Sequence, residues 1–162
     1  MAPPPFENLI DRHQREIMAY MVRNLRDFHA AEDAFQETFL RAFRAYARLP
    51  ESANRRAWLY KIASNVCNDQ RRRRCRQLPT AQAETVPADD PQDDDRDLAI
   101  AVRSFVDSLP GRQRQAVLLR KFQGLDYYEI SIALGCSMEA ARANVYQGLR
   151  RIRAHFAEVT ND

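Results

Sequence analysis

Apolar side chains recur every three or four residues through the first part of the chain, which is the period of an amphipathic helix. Three such series cover residues 6–25, about 30–47 and about 55–74. Residues 49–54 separate the second series from the third and contain Pro, Ser and Asn, which interrupt helices. No segment shows the strict alternation of apolar and polar side chains that is typical of a strand. The pattern therefore predicts an all-α fold that begins with three helices.

Helical periodicity resumes in the last part of the chain. An apolar stripe begins at Leu98 and ends at Pro110, which cannot continue a helix. A second helix is predicted over residues 112–122, with Leu118 and Phe122 facing inward. These stripes predict a second small helical core.

Capping signals divide the rest of the chain into two further helices. Asp126 with Glu129 three residues later forms a capping box, so a helix begins there. Gly135 suits the left-handed residue that ends this helix, and Ser137 suits the N-cap of the next, which runs to about residue 156. Two helices joined by a tight turn, the second of them basic, form a predicted helix-turn-helix.

Charge divides the chain into three parts. Residues 1–77 carry 15 basic and 9 acidic side chains, residues 78–97 carry 1 and 7, and residues 98–162 carry 9 and 6. The middle part has almost no large apolar side chains, so it cannot bury enough surface to offset the entropy of ordering. We therefore predict two helical domains, residues 1–77 and 98–162, joined by a flexible acidic linker at 78–97. Such a linker would not fix the distance between the domains.

Composition excludes several classes of protein. No apolar run approaches the roughly 20 residues that span a bilayer, and the first residues lack the features of a secretory signal. The three cysteines are too few and too dispersed for a disulfide framework or a metal pair. The three histidines lie on separate predicted helices, and no phosphate-binding glycine motif is present. We expect a cytoplasmic protein without membrane insertion, catalytic site, metal or cofactor.

The predicted last helix has one face suited to DNA. Its apolar stripe, which includes Ala141 and Val145, faces inward and leaves the opposite side to residue types that contact base edges and phosphates. A basic helical face is often only solvated, but the turn and the two caps favour DNA recognition here. The outward residues are Arg142, Ala143, Tyr146, Gln147, Arg150 and Arg153.

The third predicted helix carries an indole, amides and cations beside its apolar stripe, and four consecutive arginines follow at 71–74. Such a face suits single-stranded or distorted DNA, whose bases need a stacking surface and whose backbone needs cations. Alternatively, Trp58 belongs to the core and the arginines complement the helix dipole. The sequence leaves both interpretations open. The face comprises Trp58, Lys61, Asn65, Asn68 and Gln70.

The second predicted helix has an acidic outer face within a basic domain. DNA would be repelled by it, whereas a protein with basic side chains could form charge-assisted hydrogen bonds. A solubilising surface is the simpler alternative. The face comprises Glu32, Asp33, Gln36, Glu37 and Leu40.

These segments together resemble the extracytoplasmic function (ECF) group of bacterial RNA polymerase sigma factors. Residues 31–42 are similar to the family's polymerase-binding helix and residues 56–65 to its promoter-melting helix. The resemblance covers nearly the whole chain, with both domains in order. The motifs similar to the family's C-terminal helix-turn-helix domain are Leu109-Pro110 with Arg114, Gly124-Leu125, Tyr128-Glu129-Ile130 and Leu134-Gly135-Cys136-Ser137.

The resemblance implies a transcription initiation factor that is not an enzyme and needs no cofactor. Such a protein would contact core RNA polymerase at the clamp coiled coil and the flap, and a separate anti-sigma factor would control it. The acidic linker would thread the active-site cleft and the RNA exit channel of the polymerase. The residues implied to dock on the clamp are Asp33, Gln36, Glu37 and Leu40.

The resemblance also implies two contacts with promoter DNA. The loop at 49–54 and the third helix would melt and read the −10 element, and the last helix would read the −35 element. The residues implied at −10 are Asn54, Trp58, Lys61, Asn65, Asn68, Arg71 and Arg72. Those implied at −35 are Arg142, Ala143, Tyr146, Gln147 and Arg150.

The sequence departs from the family pattern at a few positions. Arg55 replaces a common aromatic, Ala141 replaces a branched apolar residue, and no basic residue stands at Asn144 or Gln147. These departures concern the promoter sequence rather than the fold. Three other functions compete with this interpretation: a sigma mimic that titrates an anti-sigma factor, an ordinary helix-turn-helix regulator and a nucleic-acid enzyme. The basic DNA face argues against a mimic, and the acidic second helix argues against an ordinary regulator. The absence of a catalytic cluster argues against an enzyme.

Overall fold

A computed structural model of the chain describes residues 3–77 and 93–160. The first of these segments forms three helices, of which α1 and α2 are joined by a tight connection and α3 packs against both. Asp27 caps α2 by accepting a hydrogen bond from the Ala30 amide at 3.1 Å, and Asn54 caps α3 through the Ala57 amide at 3.0 Å. The helices are α1 Phe6–Leu25, α2 Phe28–Tyr46 and α3 Arg55–Gln77.

The core between these three helices is mainly apolar with one buried polar pair. Tyr20 and Tyr60 pack edge to face with ring centroids 5.4 Å apart. The Tyr20 hydroxyl lies 2.8 Å from the Ser64 hydroxyl, which satisfies both groups away from water. Ile17 and Leu59, at the centres of the stripes that the sequence directs inward, are fully buried, whereas Ile10 and Ile62 of the same stripes are partly buried.

The second segment forms four further helices. The capping box at the start of α6 is present as predicted, since the Asp126 carboxylate and Glu129 amide are 2.8 Å apart and the reciprocal contact is 3.3 Å. Gly135 ends α6 with φ of +63°, and the Ser137 hydroxyl caps α7 at 3.1 Å. The helices are α4 Asp93–Ser108, α5 Gly111–Val117, α6 Tyr127–Leu134 and α7 Met138–Thr160, and a π-helical turn, Leu118–Phe122, extends α5.

Three expectations from the sequence are corrected. Helix α4 begins at Asp93, inside the predicted linker 78–97, because acidic residues are favoured in the first turn of a helix; residues 78–92 lie outside the described residues. Phe122 is 50% exposed rather than inward, because the π-helical turn changes the register of the stripe. Leu98 is 56% exposed because it lies near the start of α4, away from the buried positions Val106 and Leu109.

The two domains pack directly against each other, whereas the sequence predicted that a linker leaves their spacing unset. Helix α6 contacts α3, and the π-helical turn contacts α1. The contact includes polar side chains that are almost fully buried, among them Arg114 and Gln123. We call this contact, formed by α1 and α3 on one side and by α4, α5, the π-helical turn and α6 on the other, the interdomain seam.

Candidate nucleic-acid and polymerase interfaces

The outer face of α7 is arranged as the sequence predicts. Ala141 and Val145 are buried, which turns the opposite side of the helix to solvent. Gln147 lies beside α5, where its side-chain oxygen accepts a hydrogen bond from the Gln113 amide at 3.1 Å. Gln113 was not singled out from the sequence, since a glutamine at the edge of a short helix carries no distinctive signal. The exposed residues of this face are Arg142, Ala143, Tyr146, Gln147, Arg150 and Arg153.

The residues proposed for the −10 element are in mixed environments. Lys61 and Asn65 are exposed on α3 and free to meet a ligand. Trp58 is partly buried against the core, with its ring centroid 6.4 Å from that of Tyr46, so its indole is not a fully exposed stacking surface. Asn54 is exposed but uses its side chain to cap α3. The core interpretation of Trp58 therefore applies in part.

The arginine run at the end of α3 divides into two pairs. Arg71 donates to the Asn24 carbonyl at 2.8 Å, and Arg74 donates to the Leu25 carbonyl at 3.1 Å. These two side chains therefore satisfy carbonyls at the end of α1. Arg72 and Arg73 remain exposed, although Arg72 lies 3.3 Å from the Asp69 carboxylate. Two of the four arginines thus present their charge to solvent.

Burial shifts the pKa values of the arginines that line the seam. The pKa of Arg71 is lowered, chiefly by desolvation. Arg114 is only 4% exposed, and desolvation together with the charge of Arg71 lowers its pKa to about 10. The Arg114 guanidinium donates to the Asn24 side-chain oxygen at 3.3 Å, which joins α5 to α1. Arg71 from α3 and Arg114 from α5 thus place two positive charges in one buried region.

A second group of seam contacts surrounds Gln123. Its side-chain amide nitrogen donates to the Glu16 carbonyl and to the Tyr60 hydroxyl, each at 2.8 Å. Its side-chain oxygen accepts from Arg23 at 2.7 Å, and its backbone carbonyl accepts from Arg56 at 2.7 Å. One glutamine therefore connects the second domain to both α1 and α3. Burial raises the pKa of Tyr60 to about 12, so its hydroxyl stays protonated at neutral pH.

Ion pairs extend the seam on both sides of Gln123. Arg56 lies 3.1 Å from the Glu16 carboxylate and 3.5 Å from that of Glu129 on α6. Arg26 lies 3.4 Å from Asp107 on α4, whose pKa is raised by desolvation. None of these residues was predicted to join the two domains, because polar side chains of this kind are usually solvated; Glu129 was predicted only as part of the capping box.

The seam also occupies part of the proposed −10 face. The Asn68 side-chain oxygen accepts a hydrogen bond from the Gln115 side chain at 2.7 Å. Asn68 is therefore engaged by the second domain, whereas Lys61, Asn65 and Arg72 are not covered by such contacts. Arg71 is held within its own domain by the Asn24 carbonyl. The residues assigned to −10 DNA by the resemblance thus differ in accessibility.

The outer face of α2 combines acidic and apolar side chains. Asp33 and Gln36 are exposed, and Leu40 is 46% exposed. Glu37 is partly buried, with its carboxylate 2.6 Å from Arg41, which also reaches Asp69 on α3 at 3.4 Å. Beside this face, a groove of about 570 Å³ separates α1 from α2; it is lined by Gln14, Arg15, Met18, Glu32, Phe35 and Gln36.

Within residues 3–77 and 93–160, no three His, Cys, Asp or Glu side chains are grouped so that they could hold a metal ion. None of the described helices is both long enough and apolar enough to cross a bilayer. Cys67 is fully buried, and desolvation raises the pKa of its thiol to about 12.

Comparison with known proteins decides the family. Residues 9–77 match the family model of sigma-70 region 2, and residues 99–152 match that of sigma-70 region 4. The chain is 30% identical over 161 residues to RNA polymerase sigma factor CarQ of Myxococcus xanthus, covering 98% of this chain and 92% of that protein. The chain belongs to the ECF RNA polymerase sigma factors. The resemblance stated from the sequence is thereby confirmed, and with it the class of transcription initiation factors that direct RNA polymerase to promoters.

Other relatives agree with this assignment. ECF RNA polymerase sigma factor SigE of Mycolicibacterium smegmatis is 32% identical over 168 residues; the match covers 99% of this sigma factor but 65% of SigE. The fold is that of the sigma factor RpoE in its complex with the anti-sigma factor NepR from Bartonella quintana, with TM-score 0.76, 21% identity and 92% and 94% of the two chains covered. CnrH in complex with the cytosolic domain of CnrY has TM-score 0.72 at 20% identity, covering 94% and 88%. The predicted all-α fold is confirmed.

Proposed function

We propose that this sigma factor reads the −35 element with the outer face of α7 and reads and melts the −10 element with α3 and the loop before it. The observation that carries the proposal is the orientation of α7. Its apolar stripe is buried, its start is capped by Ser137, and its basic polar face is open to solvent. A helix held in this way in a helix-turn-helix can enter the major groove.

Within that face, the residues have different expected roles. Arg142 and Gln147 carry the side chains best suited to guanine and adenine edges, respectively. Arg150 lies two turns further along the helix than Arg142, where a phosphate contact is expected. Tyr146 and Ala143 lie between them and supply apolar contact surface. Sequence selection therefore rests mainly on Arg142 and Gln147.

The proposed −10 contact uses α3. Three of its residues are already accessible while the two domains are packed together, because they are exposed on the surface of α3: Lys61, Asn65 and Arg72. Asn68 becomes available only when its seam contact with Gln115 is broken, whereas Arg71 is held by the Asn24 carbonyl within its own domain. Trp58 contributes through the exposed part of its ring, beside Asn54 at the helix start. Reading the −10 element with the whole face therefore requires the two domains to separate.

We assign polymerase docking to the outer face of α2. Asp33, Gln36 and Glu37 offer acceptors to a partner with basic side chains, and Leu40 adds an apolar contact. The clamp coiled coil is the expected partner of this face, and the flap that of the second domain. The predicted domains 1–77 and 98–162 are then the two functional units, joined by the acidic segment that follows α3.

An anti-sigma factor is the remaining proposed partner. RpoE, whose fold is similar to this one, is complexed with the anti-sigma factor NepR, and CnrH, also similar in fold, is complexed with the cytosolic domain of CnrY. A protein that bound both domains across the seam would keep the −10 face covered. Such a partner would act by favouring the closed arrangement.

Run-off transcription with purified core RNA polymerase tests the proposal. The holoenzyme is assayed on a promoter library randomised at the −10 and −35 elements. We expect selected sequences at both elements. Arg142→Ala and Gln147→Ala should each relax selection at separate −35 positions, with a loss of roughly 1–3 kcal/mol of discrimination.

A matched pair of controls separates base reading from charge. Arg150→Ala should weaken binding equally on all sequences and reduce its salt dependence by about one counterion. Arg12→Ala removes an exposed arginine from α1 and should change neither property. Unchanged −35 preferences in both Arg142→Ala and Gln147→Ala would contradict the assignment of α7 as the reader.

A further inference from the structure

Two arginines meet one aromatic ring at the junction between the helices of the helix-turn-helix. The guanidinium carbon of Arg142, on α7, lies 5.1 Å from the ring centroid of Tyr127, the first residue of α6. The guanidinium carbon of Arg120 lies 4.8 Å from the same centroid. Both distances are within the range in which a cation is attracted to an aromatic ring.

The ring itself is held from the protein side. Tyr127 is partly buried against the core of the second domain. Arg120 is fixed by a hydrogen bond of 3.0 Å to the Leu125 carbonyl, two residues before the ring. The capping box of Asp126 and Glu129 fixes the backbone on either side of Tyr127. The position of the ring is therefore set by the second domain itself.

The ring is also the only constraint on Arg142 in the described part of the chain. Among residues 3–77 and 93–160, no hydrogen bond or ion pair engages the Arg142 guanidinium, although the residue is exposed on the DNA-facing side of α7. A free arginine side chain has many rotamers, and ordering them on binding costs entropy. A ring that already holds the planar guanidinium reduces that cost, and the planar donor fork is what matches a guanine edge or a phosphate.

We propose that Tyr127 is a positioning residue for promoter recognition: its ring holds the Arg142 guanidinium in the orientation that reads the −35 element. The inference rests on the proposed function, since it requires Arg142 to contact DNA. Tyr127 acts through Arg142 rather than on DNA directly. It therefore determines specificity at the positions that Arg142 reads and at no others.

The test uses the holoenzyme with core RNA polymerase and the promoter library randomised at the −35 element. Tyr127→Phe keeps the ring and removes the hydroxyl, whereas Tyr127→Leu removes the ring and keeps apolar bulk. Tyr128→Leu makes the same change at the neighbouring exposed tyrosine, which is not in contact with Arg142. Each is combined with Arg142→Ala to form a double-mutant cycle.

We expect Tyr127→Phe and Tyr128→Leu to keep the wild-type base preferences. Tyr127→Leu should reduce discrimination about two- to fivefold, the range set by an exposed cation–π contact. The reduction should be confined to the positions relaxed by Arg142→Ala and should vanish in the Arg142→Ala background. A wild-type profile for Tyr127→Leu, or the same loss in the absence of Arg142, would overturn the inference.

One further measurement tests the contact without any variant, and a comparison within the promoter assay separates this inference from the proposed function. Side-chain NMR of the wild-type protein should show ring-current shifts of the Arg142 δ protons that are absent in Tyr127→Leu; unshifted protons in the wild type would also overturn the inference, with no variant needed. If Arg142→Ala itself changes no −35 preference, the proposed role of Arg142 in reading the −35 element is wrong. If Arg142→Ala relaxes the preference and Tyr127→Leu does not, only the positioning role is wrong.

Discussion

At the scale of single residues, Gly148 sets the distance between α7 and α5, the helix that supports it. A β carbon at this position would lie 2.6 Å from Cγ2 of Val117 and 3.3 Å from the backbone oxygen of Gln113. Glycine is therefore required for packing, since helix interiors otherwise disfavour it. The same close approach brings Gln113 within hydrogen-bonding distance of Gln147.

Gly148→Ala should destabilise the protein by about 1–2 kcal/mol, because overpacking at α5 outweighs the better helix propensity of alanine. Thermal unfolding followed by circular dichroism measures the change. Gly111→Ala is the matched control, since a β carbon there has no neighbour within 4 Å. That variant should be as stable as the wild type or more stable. Equal melting temperatures for wild type and Gly148→Ala would show that α7 can move away from α5.

The cysteines also differ by environment. Cys67 is buried and its thiol pKa is raised to about 12, whereas Cys75 is exposed two turns later on α3. Since the thiolate is the reactive form, Cys75 should be alkylated by iodoacetamide at pH 8 while Cys67 reacts only in denaturant. Mass spectrometry of peptides after timed labelling checks this. Fast labelling of Cys67 in the native protein would mean that the N-terminal core opens readily.

At the scale of helices, α2 is distinguished by what remains uncovered on it. Phe43 and Leu40 are exposed on the same helix as Asp33, and Glu37 is tied to Arg41. Apolar side chains next to acidic ones are typical of a protein interface rather than of a surface that only promotes solubility.

Gln36→Ala with Glu37→Lys should weaken binding to core RNA polymerase by about 2–5 kcal/mol without unfolding the helix, because charge-assisted contacts at a desolvated interface are lost. Binding is measured by fluorescence anisotropy of the labelled sigma factor. Asp11→Lys makes the same charge change at an exposed position on α1 and serves as the control. If both variants bind equally well, the docking face lies elsewhere.

Individual helices could be predicted from the sequence where their determinants are local. The capping box at Asp126, the left-handed Gly135 and the N-cap Ser137 depend on residues a few positions apart. The exposure of Phe122 could not be predicted, because a π-helical turn changes the register without a clear sequence signal. Among the site residues, the outward face of α7 followed from the inward stripe, whereas the partial burial of Trp58 depends on contacts between α2 and α3.

At the scale of the whole molecule, the interdomain seam was the feature least accessible to sequence analysis. Arg114, Gln115 and Gln123 are ordinary surface residue types, and their partners are 47 to 107 positions away. No local period or spacing relates residues so far apart. Their burial follows only from how the two finished domains meet.

Gln123→Ala together with Gln115→Ala should open the seam, because the hydrogen bonds to Glu16, Tyr60 and Asn68 are lost. Each bond contributes about 0.5–1.5 kcal/mol net. The radius of gyration from small-angle X-ray scattering should increase while helix content is unchanged, and gel shifts should show tighter binding of −10 DNA by the free protein. Gln14→Ala on the exposed side of α1 is the control. An unchanged radius would mean that the remaining ion pairs suffice to keep the seam closed.

The chemistry of the seam has a thermodynamic consequence for regulation. Amides, guanidinium groups and carbonyls lose little when their mutual hydrogen bonds are replaced by hydrogen bonds to water, so these polar contacts add little to the difference in free energy between closed and separated domains. To change the ratio of separated to closed molecules from 1:99 to 99:1, a partner must bind the separated arrangement more tightly than the closed one by about 5.5 kcal/mol. A single well-formed interface can supply this difference. Polymerase and an inhibitor can therefore compete by mass action for the same sigma factor. Polymerase would bind the separated arrangement and the inhibitor the closed one, and each would shift the equilibrium toward the arrangement that it binds.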